Sequence, residues 1–359
     1  MQKLFTDETL TIESPQARLG EFMKAILVTG GAGYIGSHVC KVLSQSGFLP
    51  ITYDNLSEGH PWAVRWGPLV VGGLDDGAKL AGLFAQYQPQ AVIHLAGRAY
   101  VGESMTDPAL YYRNNVQAAL VLLECMRQYG CKNIIFSSSC ATYGEHRQMP
   151  ITEAMSQHPI NPYGRSKLMF EWMLQDYQVY GLQSVALRYF NASGADLEGE
   201  IGEQHQPEPH IIPRLLEAAR KGSPFTIYGT DYESEDGTCV RDYIHVSDLA
   251  QAHLLALQWL WRGGESRAFN LGNGQGFSIR QLIKVAETVT GKSIAVQLGA
   301  RRPGDPAVLV GSAEKAREEL GWQPQYGTLE IILTSAWRWM QRRQDPPVVD
   351  GIEESIGEP

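Results

Sequence analysis

The stretch Lys24-Ala-Ile-Leu-Val-Thr29, followed at once by Gly30-Gly-Ala-Gly-Tyr-Ile-Gly36, decides the fold. An apolar run that ends in glycines is typical of a short strand buried on both faces. The glycines fit the pattern Gly-x-Gly-x-x-Gly, here Gly31-x-Gly33-x-x-Gly36, which joins a strand to a helix. Such a turn lets the backbone approach a diphosphate, and the helix N-terminus offers it free N–H groups.

Similar apolar runs recur along the first half of the chain, separated by stretches with helical spacing. The runs predict strands at residues 49–53, 69–71, 91–95, 133–136 and 184–189, and the spacing predicts helices at residues 35–43, 78–87 and 110–129. Alternating strands and helices indicate a parallel sheet covered on both faces. We therefore expect an α/β fold, a Rossmann-type doubly wound parallel sheet, with a smaller mixed α/β C-terminal substrate lobe.

The acid at the end of the second predicted strand indicates which dinucleotide the turn binds. Asp54 lies close to the spacing of about 20 residues expected for a ribose-binding carboxylate. Its two oxygens can accept hydroxyl hydrogen bonds and would repel a 2′-phosphate. Neither Asn55 nor Leu56 supplies the positive charge that NADP requires. The sequence therefore predicts NAD as the cofactor.

Composition excludes several classes of partner. The 359 residues include 30 basic and 39 acidic side chains, a net charge of −9, which disfavours nucleic acid and anionic membrane surfaces. No apolar run is long enough for a membrane span, and the N-terminus does not look like a secretory signal. The five cysteines form no Cys-x-x-Cys pair. They predict a reducing, cytoplasmic compartment and no metal site.

A tyrosine and a lysine begin a later helix together. In Asn161-Pro-Tyr163-Gly-Arg-Ser-Lys167 the two side chains are four residues apart and share one helix face. Free tyrosine is a poor base at neutral pH. A nearby ammonium and the positive charge of a bound nicotinamide favour the phenolate. The serines at residues 137–139 come directly after the fifth predicted strand, where a hydroxyl could bridge a substrate oxygen and the Tyr163 phenol.

These motifs together resemble the extended short-chain dehydrogenase/reductase superfamily, and within it the UDP-glucose 4-epimerase (UDP-galactose 4-epimerase) family. The resemblance rests on Gly30-x-x-Gly33-x-x-Gly36, Tyr163-x-x-x-Lys167 and Phe136-Ser-Ser-Ser, and it extends from about Met23 to about Arg343. More specific blocks lie in the same order: Val101-Gly-Glu-Ser104, Tyr111-Tyr-Arg-Asn114-Asn, Arg188-Tyr-Phe-Asn191, Asp236-Gly-Thr-Cys-Val-Arg-Asp-Tyr-Ile-His245 and Arg301-Arg-Pro-Gly-Asp305.

The resemblance implies an NAD-dependent sugar-nucleotide 4-epimerase with tightly bound NAD that is regenerated in each turnover. Tyr163 would take the proton from the 4-hydroxyl while the 4-hydrogen leaves as hydride, giving a transient 4-keto sugar. Ser139 would hydrogen-bond the same oxygen, and Lys167 would hold the nicotinamide ribose and lower the Tyr163 pKa. Related dehydratases and decarboxylases need an acid just after the position of Ser139, where this chain has Cys140 and Ala141.

Binding residues follow from the same resemblance. The NAD site would comprise Gly30, Gly33, Tyr34, Ile35, Gly36, Asp54, Asn55, Leu95, Ala96, Gly97, Asn114, Ser137, Tyr163, Lys167 and Tyr189. The UDP-sugar site would comprise Ser139, Tyr163, Phe190, Asn191, His210, Ile211, Thr226, Tyr228, Arg241, Arg302, Asp305 and Leu309. The implied domains are an NAD-binding domain at residues 23–190 and a mainly UDP-sugar-binding domain at 191–343, with some chain returning to the sheet. Residues 1–22 are expected to be a poorly ordered extension, and 344–359 a loose acidic tail.

Three positions depart from the family pattern. Gly73 stands where an acid often contacts the adenine amino group, so Asp75 or Asp76 would have to supply that contact. Arg98 and Ala99 follow Ala96-Gly97 where some members have a lysine that contacts NAD. His210 replaces an asparagine, and either residue can donate a hydrogen bond.

The sequence leaves open which UDP-sugars are substrates and whether the protein is an enzyme or a sensor. Leu309 is smaller than the aromatic side chain that often faces the sugar's 2-substituent in the family. This suggests the hypothesis that N-acetylated UDP-sugars are also substrates. A UDP-xylose/UDP-arabinose 4-epimerase would use the same catalytic residues. The other alternative is a non-catalytic NAD sensor. The presence of Ser139, Tyr163 and Lys167 together argues against it, because a sensor does not need all three. Family members commonly dimerise through the helices that correspond to residues 110–129 and 169–180, so a homodimer is expected, although both helices could instead be buried within one chain.

Overall fold

A seven-stranded parallel sheet forms the centre of the protein. The computed structural model describes residues 23–301 and 306–342. The sheet has the strand order β11-β6-β5-β4-β1-β2-β3, and every neighbouring pair is parallel. Its strands are β1 (Ala25–Thr29), β2 (Leu49–Asp54), β3 (Leu69–Val71), β4 (Ala91–His94), β5 (Asn133–Ser139), β6 (Gln183–Tyr189) and β11 (Arg267–Leu271). This is the predicted Rossmann-type doubly wound sheet.

Helices cover both faces of this sheet, as a parallel sheet requires. They are α1 (Tyr34–Gln45), α2 (Gly77–Tyr87), α3 (Val101–Thr106), α4 (Pro108–Tyr112), α5 (Ala118–Gln128), α6 (Pro162–Asp176) and α8 (Val246–Trp261). One apolar core lies between the sheet and α1 and α8, and a second between the sheet and α2, α5 and α6. The prediction of a parallel sheet covered on both faces is therefore confirmed.

The C-terminal part of the chain builds small sheets and a third core. Its elements are β7 (Asn191–Ser193), α7 (Ile211–Lys221), β8 (Phe225–Tyr228), β9 (Val240–Arg241), β10 (Tyr243–His245), β12 (Phe277–Ser278), α9 (Ile279–Thr290), β13 (Val296–Gly299), β14 (Val308–Leu309) and α10 (Leu329–Arg342). They form the sheets β10-β7, β12-β9-β14 and β13-β8. Helices α7, α9 and α10 pack around the third core. The predicted extension at 1–22 and tail at 344–359 lie outside the described residues.

Two predictions of local structure were wrong in detail. The serines at 137–139 are the end of β5 rather than the residues that follow it, because they pair with Leu187, Arg188 and Tyr189 of β6. The single helix expected over residues 110–129 contains a π-helical turn at Arg113–Gln117 between α4 and α5. This turn holds the buried Asn115, whose side-chain amide bonds the backbone N–H and C=O of Arg98. Among the described residues, no helix is long and apolar enough to cross a membrane.

Candidate active site

A cavity of about 1580 Å³ opens at the carboxyl ends of the central strands. Its floor includes the residues that end β2 and β5 and those that follow β1 and β4. Pockets for one small ligand are about 300–1,000 Å³. The larger volume suits two ligands that meet, a dinucleotide and a second nucleotide.

The glycine turn after β1 is shaped for close approach. Gly30 has a φ of +73°, and a Cβ there would lie 2.6 Å from the backbone nitrogen of Ala96. A Cβ at Gly36 would overlap the carbonyl oxygen of Gly30. Helix α1 follows with Gly33 at its N-cap and no side-chain cap. The turn therefore presents bare backbone and a helix N-terminus to the cavity, which fits the diphosphate of NAD.

Asp54 lies at the end of β2 on the same side of the cavity. Its carboxylate accepts hydrogen bonds from the backbone nitrogens of Ala32 at 3.0 Å and Leu56 at 2.8 Å. Burial raises the pKa of this carboxyl, and the two N–H donors oppose that rise. The backbone bonds fix the carboxylate against the glycine turn, where a ribose bound to the turn would reach it. The residues present therefore fit NAD.

The predicted catalytic side chains meet at the cavity between β5 and α6. Helix α6 begins here because Asn161 caps it, accepting a bond from the nitrogen of Gly164 at 2.8 Å, and Pro162 occupies its first turn. Lys167 is 4% exposed, and its Nζ donates to the carbonyl oxygen of Ser137 at 2.8 Å. The same Nζ lies 5.8 Å from the centroid of the Tyr163 ring.

The protein groups alone hold Tyr163 as a neutral phenol. Burial raises its pKa to about 12, although a hydrogen bond with Ser139 lowers it. Burial also lowers the pKa of Lys167 to about 8, so the ammonium is still the main form at neutral pH. That Lys167 lowers the Tyr163 pKa stays a prediction. The positive charge of a bound nicotinamide would favour the phenolate further.

Cys140 directly follows Ser139. It is buried, and burial raises the pKa of its thiol to about 12. A thiol with that pKa stays protonated and neutral at neutral pH. The absence of an acid at this position, and the presence of Ala141 beside it, disfavour the dehydration chemistry that needs one.

Residues of the C-terminal part close the other side of the cavity. Arg241 in β9 is 9% exposed and pairs in register with Leu309 of β14. Thr226 and Tyr228 lie in β8, and His210 precedes α7. All of them line the cavity together with the Gly30 turn. Two chain segments far apart in sequence thus face each other across one space.

Every predicted site residue within the described ranges lines this cavity. For NAD these are Gly30, Gly33, Tyr34, Ile35, Gly36, Asp54, Asn55, Leu95, Ala96, Gly97, Asn114, Ser137, Tyr163, Lys167 and Tyr189. For the UDP-sugar they are Ser139, Tyr163, Phe190, Asn191, His210, Ile211, Thr226, Tyr228, Arg241 and Leu309. Arg302 and Asp305 lie outside the described residues.

The structure also shows the positions of residues at which the sequence departs from the family pattern. Asp75 lines the cavity beside Gly73, whereas Asp76 caps α2 by accepting from the nitrogen of Lys79. Arg98 donates from Nη1 to Glu58 at 2.7 Å, so its charge is already paired. Asp75 is thus the better placed of the two acids for a ligand in the cavity.

Sequence reasoning overlooked three residues that surround His210. Glu203, His205 and Glu208 lie in the segment before α7 and form ion pairs with one another and with His210. Burial lowers the pKa of His210, but the two glutamates more than offset this and raise it to about 10. The signal was present as Glu-x-His-x-x-Glu-x-His, which has neither strand nor helix periodicity.

The chain matches known proteins over most of its length. Residues 26–272 match the family described as NAD dependent epimerase/dehydratase. The UDP-glucose 4-epimerase of Rhizobium meliloti (strain 1021) is 50% identical over 322 residues, which is 89% of this chain and 97% of that protein. Two crystal structures of UDP-glucose 4-epimerases are also similar. The one from Brucella ovis, in complex with NAD, has a TM-score of 0.86 and 52% identity, covering 88% of this chain and 97% of that chain. The one from Bifidobacterium longum, in complex with NAD⁺ and UDP, has a TM-score of 0.83 and 37% identity. The match covers 89% of this chain and 98% of that chain.

Sequence, fold and the residues of the cavity therefore lead to the same group of proteins. The family match spans more than half of the chain, and the similar proteins are covered almost completely. The chain belongs to the NAD-dependent epimerase/dehydratase family and, within it, to the UDP-glucose 4-epimerases.

Proposed function

We propose that this protein interconverts UDP-glucose and UDP-galactose by NAD-dependent inversion at C4 of the sugar. The single observation that carries the proposal is the meeting of Ser139, Tyr163 and Lys167 with the glycine turn and Asp54 in one cavity. A hydroxyl, a phenol and an ammonium beside a dinucleotide site are what proton abstraction from a sugar alcohol requires. Interconversion of UDP-glucose and UDP-galactose is favoured over the function of a UDP-xylose/UDP-arabinose 4-epimerase and over that of a non-catalytic NAD sensor.

NAD would be held by the N-terminal domain, residues 23–190. The glycine turn and the N-terminus of α1 would bind its diphosphate, Asp54 a ribose, and Asp75 the adenine amino group. When bound, NAD would supply reversible hydride transfer at C4 of the sugar. Because the reaction has no net oxidation, the pocket would have to retain the cofactor throughout.

Tyr163 would act as the base for the 4-hydroxyl proton. Its pKa of about 12, set mainly by burial, must fall for it to act near neutral pH. The Lys167 ammonium, held 5.8 Å from the ring centroid, and the charge of oxidised nicotinamide both favour the phenolate. Ser139 would hydrogen-bond the same sugar oxygen and stabilise its negative charge as the proton leaves.

The C-terminal part, residues 191–343, would hold the UDP group. In a chain with a net charge of −9, local cations must attract a diphosphate. Arg241 supplies one, and His210 lines the same cavity, where a ring N–H could donate to a phosphate oxygen. Asn191, Tyr228 and the family positions Arg302 and Asp305 would complete the site. An arginine guanidinium suits phosphate because its donors form a planar fork.

The size of Leu309 supports a wider substrate range. This side chain lies beside Arg241 in the cavity wall, where a larger aromatic residue would reduce the space for an N-acetyl group. We therefore include UDP-N-acetylglucosamine as a substrate. Turnover of this sugar at background level, with UDP-glucose active, would reject the extension and leave the main proposal intact.

The test is incubation of the purified protein, without added cofactor, with UDP-hexoses, UDP-pentoses and their N-acetyl forms. We expect UDP-galactose to appear from UDP-glucose, with the equilibrium reached from either side. Conversion of pentoses alone would favour the UDP-xylose enzyme. Reversible NAD binding with every sugar unchanged would favour the sensor.

We also propose a cytoplasmic homodimer. Apolar and aromatic side chains on α5, α6 and the turns that follow them are exposed: Leu120, Tyr129, Trp172, Val179 and Tyr180. A patch of this kind typically marks a protein interface. The five cysteines are free and buried, which agrees with a reducing compartment. Light scattering should give twice the chain mass, and Trp172→Glu should shift it toward the monomer.

A further inference from the structure

Two histidines and two glutamates form a compact group at the rim of the cavity. This His–Glu cluster consists of Glu203, His205, Glu208 and His210, in the segment before α7. One nitrogen or oxygen from each lies within 4.8 Å of all the others. Glu203, His205 and His210 also line the active-site cavity.

The distances in the cluster resemble the edges of a metal coordination tetrahedron. With metal–ligand bonds of about 2.0–2.1 Å, tetrahedral ligands lie about 3.3 Å apart. The Nδ1 of His205 is 3.4 Å from a Glu203 oxygen and 3.5 Å from a Glu208 oxygen. The Nδ1 of His210 is 3.4 Å from a Glu208 oxygen and 2.6 Å from a Glu203 oxygen. The His210–Glu203 pair would have to separate by about 0.7 Å. Glu208 approaches the two histidines with different carboxylate oxygens, so it would have to turn or bind through both oxygens.

One ligand atom in the cluster has no hydrogen-bond partner among the described residues. The Nδ1 of His205 is shielded from solvent and makes no hydrogen bond. Its contacts with the two glutamates are longer than the 2.7–3.2 Å of a normal N–H···O bond. A buried nitrogen that faces two carboxylates at these distances suits coordination better than hydrogen bonding.

We propose that the His–Glu cluster binds one divalent transition-metal cation of the zinc class. Two imidazole nitrogens and two carboxylate oxygens are a ligand set that Zn²⁺ accepts. Hard cations such as Mg²⁺ and Ca²⁺ prefer sites made of oxygens alone and would be discriminated against.

Charge balance also favours a cation in the cluster. Glu203 is buried, and Glu208 lies within reach of the same histidines. A divalent cation held by both carboxylates would neutralise their two negative charges.

The second acidic group of the protein provides an internal contrast. Asp196, Glu198 and Glu200 also bring their oxygens close together. The Nζ of Lys41 already binds all three at 2.6–2.8 Å. An ammonium at the centre of the group occupies the place that a cation would take, so no metal binding is expected there.

Metal binding would also fix which ring nitrogen of His210 carries the proton. Coordination through Nδ1 leaves Nε2–H as the only ring donor of that imidazole. A fixed donor at the cavity wall would orient a polar ligand, such as the diphosphate, more strictly than a mobile side chain. The metal site itself does not depend on the proposed epimerase activity, because its test measures binding alone.

The experiment is titration of the full-length, chelator-treated protein with ZnCl₂ by calorimetry. We expect one Zn²⁺ per chain in the wild type, with proton release that depends on the buffer. His205→Gln and Glu208→Gln should each weaken binding by more than about 100-fold, because losing even indirect partners of a ligand costs about 10–100-fold. Glu198→Gln, in the group held by Lys41, is the matched control and should bind as the wild type does. Equal binding by all four proteins would overturn the proposal.

Cobalt supplies a second readout that does not depend on the variants folding. Co²⁺ added to the wild type should give the visible absorption of a tetrahedral site, and Zn²⁺ should remove it. A spectrum of octahedral Co²⁺ alone, or one unaffected by Zn²⁺, would contradict the assignment. MgCl₂ in place of ZnCl₂ should produce no saturable heat.

Discussion

The buried pair Glu171–Arg188 connects the helix that carries Tyr163 and Lys167 to the strands beneath it. Glu171 in α6 and Arg188 in β6 are 5% and 6% exposed, and their closest atoms are 2.5 Å apart. Glu171 also accepts from the hydroxyl of Ser138 in β5. One carboxylate thus connects the three elements that meet at the proposed catalytic residues.

Glu171→Gln removes the charge and keeps the shape. Arg188 then stays buried without its counter-charge, so we expect the free energy of unfolding to fall by about 3–5 kcal/mol. Arg188→Met should cost a similar amount, because the carboxylate keeps only its bonds to Ser138 and Gln157. The double variant removes both charges and should lose less than either single variant. Urea denaturation of all four proteins gives the coupling between the two sites.

An ion pair outside the core is the control. Glu217 and Arg220 lie on α7 at 2.8 Å with side chains about one third exposed. Glu217→Gln should change the free energy of unfolding by no more than about 1 kcal/mol. If the losses in Glu171→Gln and Arg188→Met simply add in the double variant, the reasoning about an uncompensated buried charge is wrong.

Three further predictions concern the cofactor, the pH and the substrate. Gly36→Val should abolish copurifying NAD, measured after denaturation, because any side chain there overlaps the backbone of the same turn. Gly82→Ala, with nothing within 4 Å, should retain it. Burial lowers the pKa of His253 to about 4, whereas in the unfolded chain it is about 6.5. Its contribution to stability is therefore complete above about pH 6.5 and is lost as the pH falls, by about 2 kcal/mol between pH 7 and 5. His253→Met should remove that part of the slope in denaturation experiments, and an unchanged slope would contradict the assignment. Leu309→Tyr should lower turnover of UDP-N-acetylglucosamine at least tenfold relative to UDP-glucose in a chromatographic assay, whereas Leu298→Tyr, at a site 65% exposed, should not.

The features predicted most reliably from the sequence are those that depend only on residues close together in the chain. The run from Lys24 to Gly36 contains the strand, the turn and the helix start that hold the diphosphate, so its reading needed no distant contact. Asp54 ends β2 as expected because a strand buried on both faces is a continuous apolar run.

Features that depend on distant partners were not predictable in this way. The serines at 137–139 do not continue the apolar run of the fifth predicted strand, and only their pairing with β6 makes them part of it. The seventh strand, β11, joins the sheet beside β6 from within the C-terminal part of the chain. Only the family resemblance implied that some chain returns to the sheet. The His–Glu cluster is local in sequence, but an irregular loop brings it together, and such loops have no period to detect.

The most direct test of the central claim is the epimerisation rate of Tyr163→Phe. The variant should keep NAD and bind UDP-glucose, because the phenol ring remains and only the hydroxyl is lost. We expect its kcat to fall by about 10²–10⁴-fold, the usual contribution of a positioned base. A folded, NAD-loaded Tyr163→Phe protein that converts UDP-glucose at the wild-type rate would contradict the account.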